Sequence, residues 1–161
     1  MKKFHLAFFV VPAVLLVVVD QITKSLVVNN LPVHSSEALI EGFLNLVHVR
    51  NRGMAFGMLN GLSTNTASYI LAAVSVIAVV AIILYAFKYS DGSQTTIFAL
   101  SLILGGAVGN LIDRLRLGEV IDFIDFFIGS FHWPAFNAAD SGITIGTFLI
   151  ILSHLFRKKR A

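Results

Sequence analysis

TTIFALSLILGGAVGNLIDR, residues Thr95 to Arg114, decides the fold. Thr95–Ile112 is apolar and long enough to cross hydrocarbon, which takes about 20 residues. Gly105, Gly106 and Gly109 form a strip containing Gly105-x-x-x-Gly109. Such strips let membrane helices approach backbone to backbone. On a helix Asn110 shares a face with Asp113 at i+3 and Arg114 at i+4. The stretch therefore predicts a closely packed membrane helix that ends in a polar cluster.

The rest of the chain has the same character. Its 161 residues are 57% hydrophobic and 13% charged, with mean hydropathy +0.84. Soluble domains carry about 25% charged residues, so this is an integral membrane protein with one domain. Three more stretches can span: about Phe4–Val28, Thr66–Phe87 and Ser141–Phe156. The last is the shortest and leans on its flanks. Lys2 and Lys3, then Lys88, then Arg157 to Arg160 mark the cytoplasmic side by the positive-inside rule, with both termini inside. That topology accounts for the pI near 9.5 without nucleic acid. The first apolar run has no small-residue cleavage site after it and reads as a retained helix. The chain has no cysteine, which excludes a thiol nucleophile, a disulfide framework and cysteine-ligated zinc.

The outer loops, about 29–65 and 113–140, are too long to be bare connections. Asn45–Arg50 alternates, with Val47 and Val49 facing one way and His48 and Arg50 the other, and reads as a strand. Glu119–Ile128, rich in β-branched and aromatic residues, reads as a second. Paired, they make a small sheet at the outer membrane surface, with Trp133 at the interface.

Six of the 9 acidic residues lie close to the ends of spans on that same side: Asp20, Asp113, Glu119, Asp122, Asp125 and Asp140. At about 1.5 Å of rise per residue, Asp20, Asp113 and Asp140 each lie about 24–28 Å from the cytoplasmic ends of their spans. The hydrocarbon core is about 30 Å thick, so all three sit near its outer edge. Ionised groups inside the core cost about 2.5–3.5 kcal/mol or more, and a chain that gathers several close to it uses them. Asp20 and Lys24 form an i,i+4 pair, and Lys24 and Arg114 read first as salt-bridge or snorkelling residues.

Other chemistries find little support. No G-x-S-x-G is present, and His5, His34, His48, His132 and His154 show no H-E-x-x-H spacing. Asp140-Ser141-Gly142 matches the D-[ST]-G of pepsin-like enzymes, but only once and without their β-rich fold. Paired carboxylates remain. Two acids sharing a site push their pKa values apart, so one keeps a proton while the other acts as base on a water. Position alone leaves either Asp122 or Asp125 able to serve. A small ion- or proton-coupled transporter component is the alternative, but a proton relay needs ionisable groups through the membrane midplane. A non-catalytic assembly factor would not need two separately placed aspartates.

Five motifs occur in one order: Asp20-Gln21-x-Thr23-Lys24; Asn51-x-Gly53-x-Ala55-Phe56-Gly57, with Met54 where alanine is frequent; Gly105-Gly106-x-x-Gly109-Asn110-x-x-Asp113-Arg114; Val120-x-Asp122-Phe123; and Phe136-Asn137-x-Ala139-Asp140-x-x-Ile143. Together they resemble bacterial lipoprotein signal peptidase, signal peptidase II. The resemblance implies an aspartic endopeptidase of the inner membrane that cuts diacylglyceryl-modified prolipoproteins just before the lipidated cysteine. It places the catalytic dyad on Asp122 and Asp140. It implies that Asn51, Asn110, Asp113, Arg114 and Asn137 line or support the site, and that Asp20 and Lys24 are a structural pair. It further implies an all-α membrane fold of four transmembrane helices with a small extracytoplasmic β-cradle and a short periplasmic helix. Membrane lipid and the inhibitor globomycin are the other expected partners, and no cofactor or metal is expected.

Overall fold

Each of the four apolar stretches forms a helix in the computed structural model, which describes residues 6–53, 64–88 and 93–157. They are α1 (Leu6–Asn30), α2 (Thr64–Lys88), α3 (Gln94–Leu117) and α4 (Ala138–Arg157), and all four are long and apolar enough to cross a membrane. Large apolar side chains stay exposed on the helix exteriors, as lipid contact requires: Leu15, Ile22, Ile77, Leu84 and Phe148 are examples. Helix α3 is central and packs against each of the other three.

The glycine strip explains that position. A Cβ on Gly105 would meet the Ala13 backbone of α1, and one on Gly106 would collide with the Ala139 carbonyl and Ile143 of α4. At Gly109 a Cβ would stand 2.6 Å from Asp20 Oδ2. The strip thus brings α1 and α4 against α3 at the level of the acids. Gly106→Ala is expected to destabilise the bundle by roughly 1–3 kcal/mol through overpacking, read as a lower melting temperature in detergent.

The buried residues of α1 are Phe9, Ala13, Asp20, Lys24 and Val27, a single helical stripe that carries two charges. Helix α3 runs past the expected boundary at Ile112. It stops only at Gly118, whose left-handed φ of 75° ends the helix while its N–H donates to Arg114 O. Helix α4 begins at Ala138. Asp113, Arg114 and Asp140, assigned above to a loop at 113–140, therefore stand on helix ends.

Between the helices lie β1 (Ser36–Ile40), β2 (Leu44–Asn51), β3 (Val120–Ile128) and β4 (Phe131–His132), in sheet order β1-β2-β3-β4 and antiparallel throughout. An all-α class is therefore too loose, because the β-branched and aromatic runs of both long connections pair with each other. The sheet packs where α1 and α3 end. The simple alternation expected for Asn45–Arg50 fails at a bulge between Leu46 and Val49. Val47 and His48 are consequently both buried, and His48 Nδ1 lies 2.9 Å from Leu31 O. A bulge of this kind adds one residue to one strand and resets which side chains face inward. The short periplasmic helix has no counterpart among the described residues. Residues 54–57 of the second motif lie outside them.

Candidate active site

Strand register sets the first carboxylate. Val49 pairs with Asp122 and Asn51 with Val120, so Asn51 and Asp122 are diagonal neighbours on one sheet face. Asn51 Nδ2 donates to Asp122 Oδ2 at 2.9 Å. Asp125, three residues along, faces the other side. It accepts from Asn45 Nδ2 at 3.0 Å and lies 3.0 Å from His132 Nδ1. Asp125 therefore stands apart from the face that carries Asn51 and Asp122.

The second carboxylate is fixed by a helix start. Asn137 caps α4, its Oδ1 accepting from Asp140 N–H at 2.9 Å, while Asp140 Oδ2 accepts from Asn137 N–H at 3.2 Å. This is a reciprocal capping box with aspartate in the third position. The first turn of a helix favours negative charge, and Asn110 Nδ2 adds a donor to Asp140 Oδ1 at 2.8 Å. Asn137 also joins the two acids, because its Nδ2 donates to Asp122 Oδ1 at 2.7 Å. A helix-cap role and a site role for Asn137 therefore coincide.

Asp122 and Asp140 line one open cleft of about 580 Å³ together with Asn51, the Trp133–Phe136 segment, and Thr144 of α4. Burial raises the Asp122 pKa to about 6; the nearby Asp140 charge adds to the rise, while the Asn51 and Asn137 hydrogen bonds oppose it. Asp122, its pKa raised by burial, thus faces Asp140 at a helix N-terminus, an arrangement suited to general acid–base work.

Behind the pair is a buried ionic cluster. Lys24 Nζ reaches Asp20 Oδ2 and Asp113 Oδ2, each at 2.8 Å, and donates to Asn110 Oδ1 at 2.9 Å. Asp20 Oδ1 accepts Ala139 N–H at 3.0 Å, and Asp113 Oδ2 accepts Ile121 N–H at 3.2 Å. The cluster thus ties α1, α3, α4 and β3 together, and Asn110 connects it to Asp140. Gln21, quoted above within a motif but given no role, donates to Asp113 Oδ1 at 2.9 Å and to Gly109 O at 3.2 Å. Its place one residue after a buried aspartate in an otherwise apolar helix is the signal that could have singled it out.

Arg114 is the expected site residue that does not reach the pair among the described residues. Its Nη1 donates to Ser75 Oγ of α2 at 3.2 Å, and it lines a neighbouring polar pocket with Arg52 and Glu119. It acts on Asp140, Asp113 and Asp122 only through its field. The Trp133–Ala135 wall and Thr144 were likewise not foreseen as site residues. Among the described residues no cluster of histidine and acidic side chains is suited to hold a metal ion.

Comparisons with known proteins give the family. Residues 12–156 match the family model described as Signal peptidase (SPase) II. The lipoprotein signal peptidase of Oleidesulfovibrio alaskensis is 48% identical over 149 residues, covering 91% of this chain and 94% of the relative. That of Syntrophus aciditrophicus is 40% identical over 159 residues, covering 99% and 98%. A solved bacterial membrane enzyme superposes with a TM-score of 0.86 at 34% identity, covering 99% of this chain and 94% of that one. With nearly its whole length matched in sequence and in fold, the chain belongs to the signal peptidase II family.

Proposed function

We propose that the chain is the lipoprotein signal peptidase of a bacterial inner membrane and that Asp122 and Asp140 are its catalytic dyad. The observation that carries the reading is Asn137, which holds both carboxylates on one cleft. Both termini lie in the cytoplasm and the sheet covers the site on the outer side. A prolipoprotein enters from the membrane with its lipid-modified cysteine just after the scissile bond. Asp140, at the helix N-terminus, acts as the base and takes a proton from a water between the carboxyl groups. Asp122, protonated, donates a hydrogen bond to the scissile carbonyl. The new oxygen–carbon bond gives a tetrahedral intermediate, and its collapse breaks the C–N bond as the departing amine takes a proton from the dyad. Globomycin is expected to compete for the same cleft. The transporter reading finds no support in the family matches.

The test is purified protein acting on a diacylglyceryl-modified peptide, with products read by mass spectrometry. A single cut before the modified cysteine is expected; no cut, or a cut elsewhere, overturns the reading. Turnover is expected to survive strong chelators, and loss restored by one added metal would contradict the mechanism.

The pH dependence follows from Asp122. Its proton is lost as pH rises through about 6, so kcat/KM of the free enzyme is expected to fall above that value. Asn51 stabilises the ionised form through its hydrogen bond. Asn51→Leu is therefore expected to move the falling limb to higher pH while lowering the maximum. An unmoved limb in this variant would remove Asp122 as its source.

A further inference from the structure

A second cavity of about 340 Å³ adjoins the cleft and has almost no polar lining. Phe43, Phe126, Phe127 and Phe131 form it with Trp133 and Phe136. The last two also line the cleft that holds Asp122 and Asp140, so the two spaces share a wall. Asp122, Ile124 and Phe126 lie at alternate positions of β3 and therefore on one sheet face. At about 3.3 Å per residue, Phe126 lies about 13 Å along that face from Asp122. Ring contacts line the groove. Phe126 stacks on Phe136 at 5.8 Å between ring centres and packs on Phe43 at 5.2 Å. The His132 ring lies on Phe127 at 4.9 Å while its Nδ1 contacts Asp125. From Phe126 to Phe136 the chain carries no acid, lysine or arginine. Phe131, Trp133 and Ile128 at its rim remain 67%, 61% and 75% exposed.

We propose that this groove seats one acyl chain of the substrate's diacylglyceryl group. The inference rests on the peptidase reading and adds to it where the lipid lies. A thioether-linked glyceryl ester starts its acyl chains within a few bonds of the scissile amide. A chain leaving the dyad along the β3 face passes Phe136 and Trp133 and enters the groove. An apolar trough beside the catalytic cleft, with Trp133 and Phe136 common to both, matches a chain tethered beside the scissile bond. A lipid from the bulk bilayer has no tether to bring it past the dyad. The groove therefore makes lipid length and position a determinant of cleavage, in addition to holding substrate in the membrane.

Two readouts decide it in detergent micelles, where no bilayer is present. The first compares peptides carrying two sixteen-carbon or two eight-carbon chains, for the wild-type protein, Ile128→Trp, which fills the mouth, and Phe131→Ser, which makes it polar. A chain already dissolved in a micelle gains packing contacts rather than transfer from water, so the wild-type kcat/KM ratio of long to short is expected to be at least about fivefold. Both variants are expected to lower that ratio severalfold by slowing only the long-chain substrate. An unchanged ratio in both variants overturns the proposal. The second readout places a photoreactive diazirine at the acyl terminus and does not depend on turnover. Labelling of residues 126–136 that excess unlabelled substrate suppresses and excess phosphatidylglycerol does not is the expected result. Labelling confined to the helix exteriors, or equal suppression by both, overturns it and makes the groove a seat for bulk lipid. A wild-type protein that cuts neither peptide yet shows the expected labelling would overturn the peptidase reading and support the groove.

Discussion

Asp122→Asn and Asp140→Asn are each expected to lower kcat/KM on a diacylglyceryl-modified peptide by at least about 10³-fold, within the range that a positioned acid or base contributes. Asparagine preserves size and a hydrogen-bonding oxygen but neither ionises nor supplies a carboxylic proton. At position 140 it still accepts from Asn137 N–H, so α4 keeps its cap and the melting temperature is expected to stay close to wild type. Asp125→Asn serves as the control. That side chain is engaged with Asn45 and His132 on the other face of β3, and activity within about threefold of wild type is expected. A dead Asp125→Asn beside an active Asp122→Asn would reverse the assignment within the strand.

The second large effect is on stability. Lys24→Met leaves Asp20 and Asp113 facing each other without the ammonium group that now lies 2.8 Å from both. Removing one partner from a buried ion pair costs about 3–5 kcal/mol, because the remaining charge loses its compensation. The same substitution takes a donor from Asn110, which positions Asp140. Lower thermal stability in detergent and lower activity are therefore expected together. A Lys24→Met protein that melts with the wild type would show that the cluster is not a structural tie.

The membrane architecture was legible because its signals are local. Four apolar runs give four helices, and a small-residue strip gives the closest helix approach. Helix rise alone placed Asp20, Asp113 and Asp140 at one level, where Lys24, Asn110, Asn137 and backbone amides now join them. What escaped was set by register and by ends. Choosing between Asp122 and Asp125 from the chain alone requires knowing which face of β3 meets Asn51, and pairing with β2 decides that. The bulge that buries His48 leaves no mark in the alternation of Asn45–Arg50. Asp140 reads as a loop residue until Asn137 is recognised as the α4 cap. Arg114 shares a helix face with Asn110 at i+4 spacing, yet its long side chain turns to Ser75.

The measurement closest to the central claim is a structure with a substrate analogue. The analogue carries a diacylglyceryl thioether and a tetrahedral hydroxymethylene in place of the scissile amide. Its hydroxyl oxygen stands where the attacking water becomes the new oxygen of the intermediate. The account predicts that this oxygen lies within hydrogen-bonding distance, about 2.6–3.2 Å, of both Asp122 and Asp140. A hydroxyl bound by only one of them, with the other turned away or separated by more than a water-bridged span, would contradict a shared carboxylate dyad.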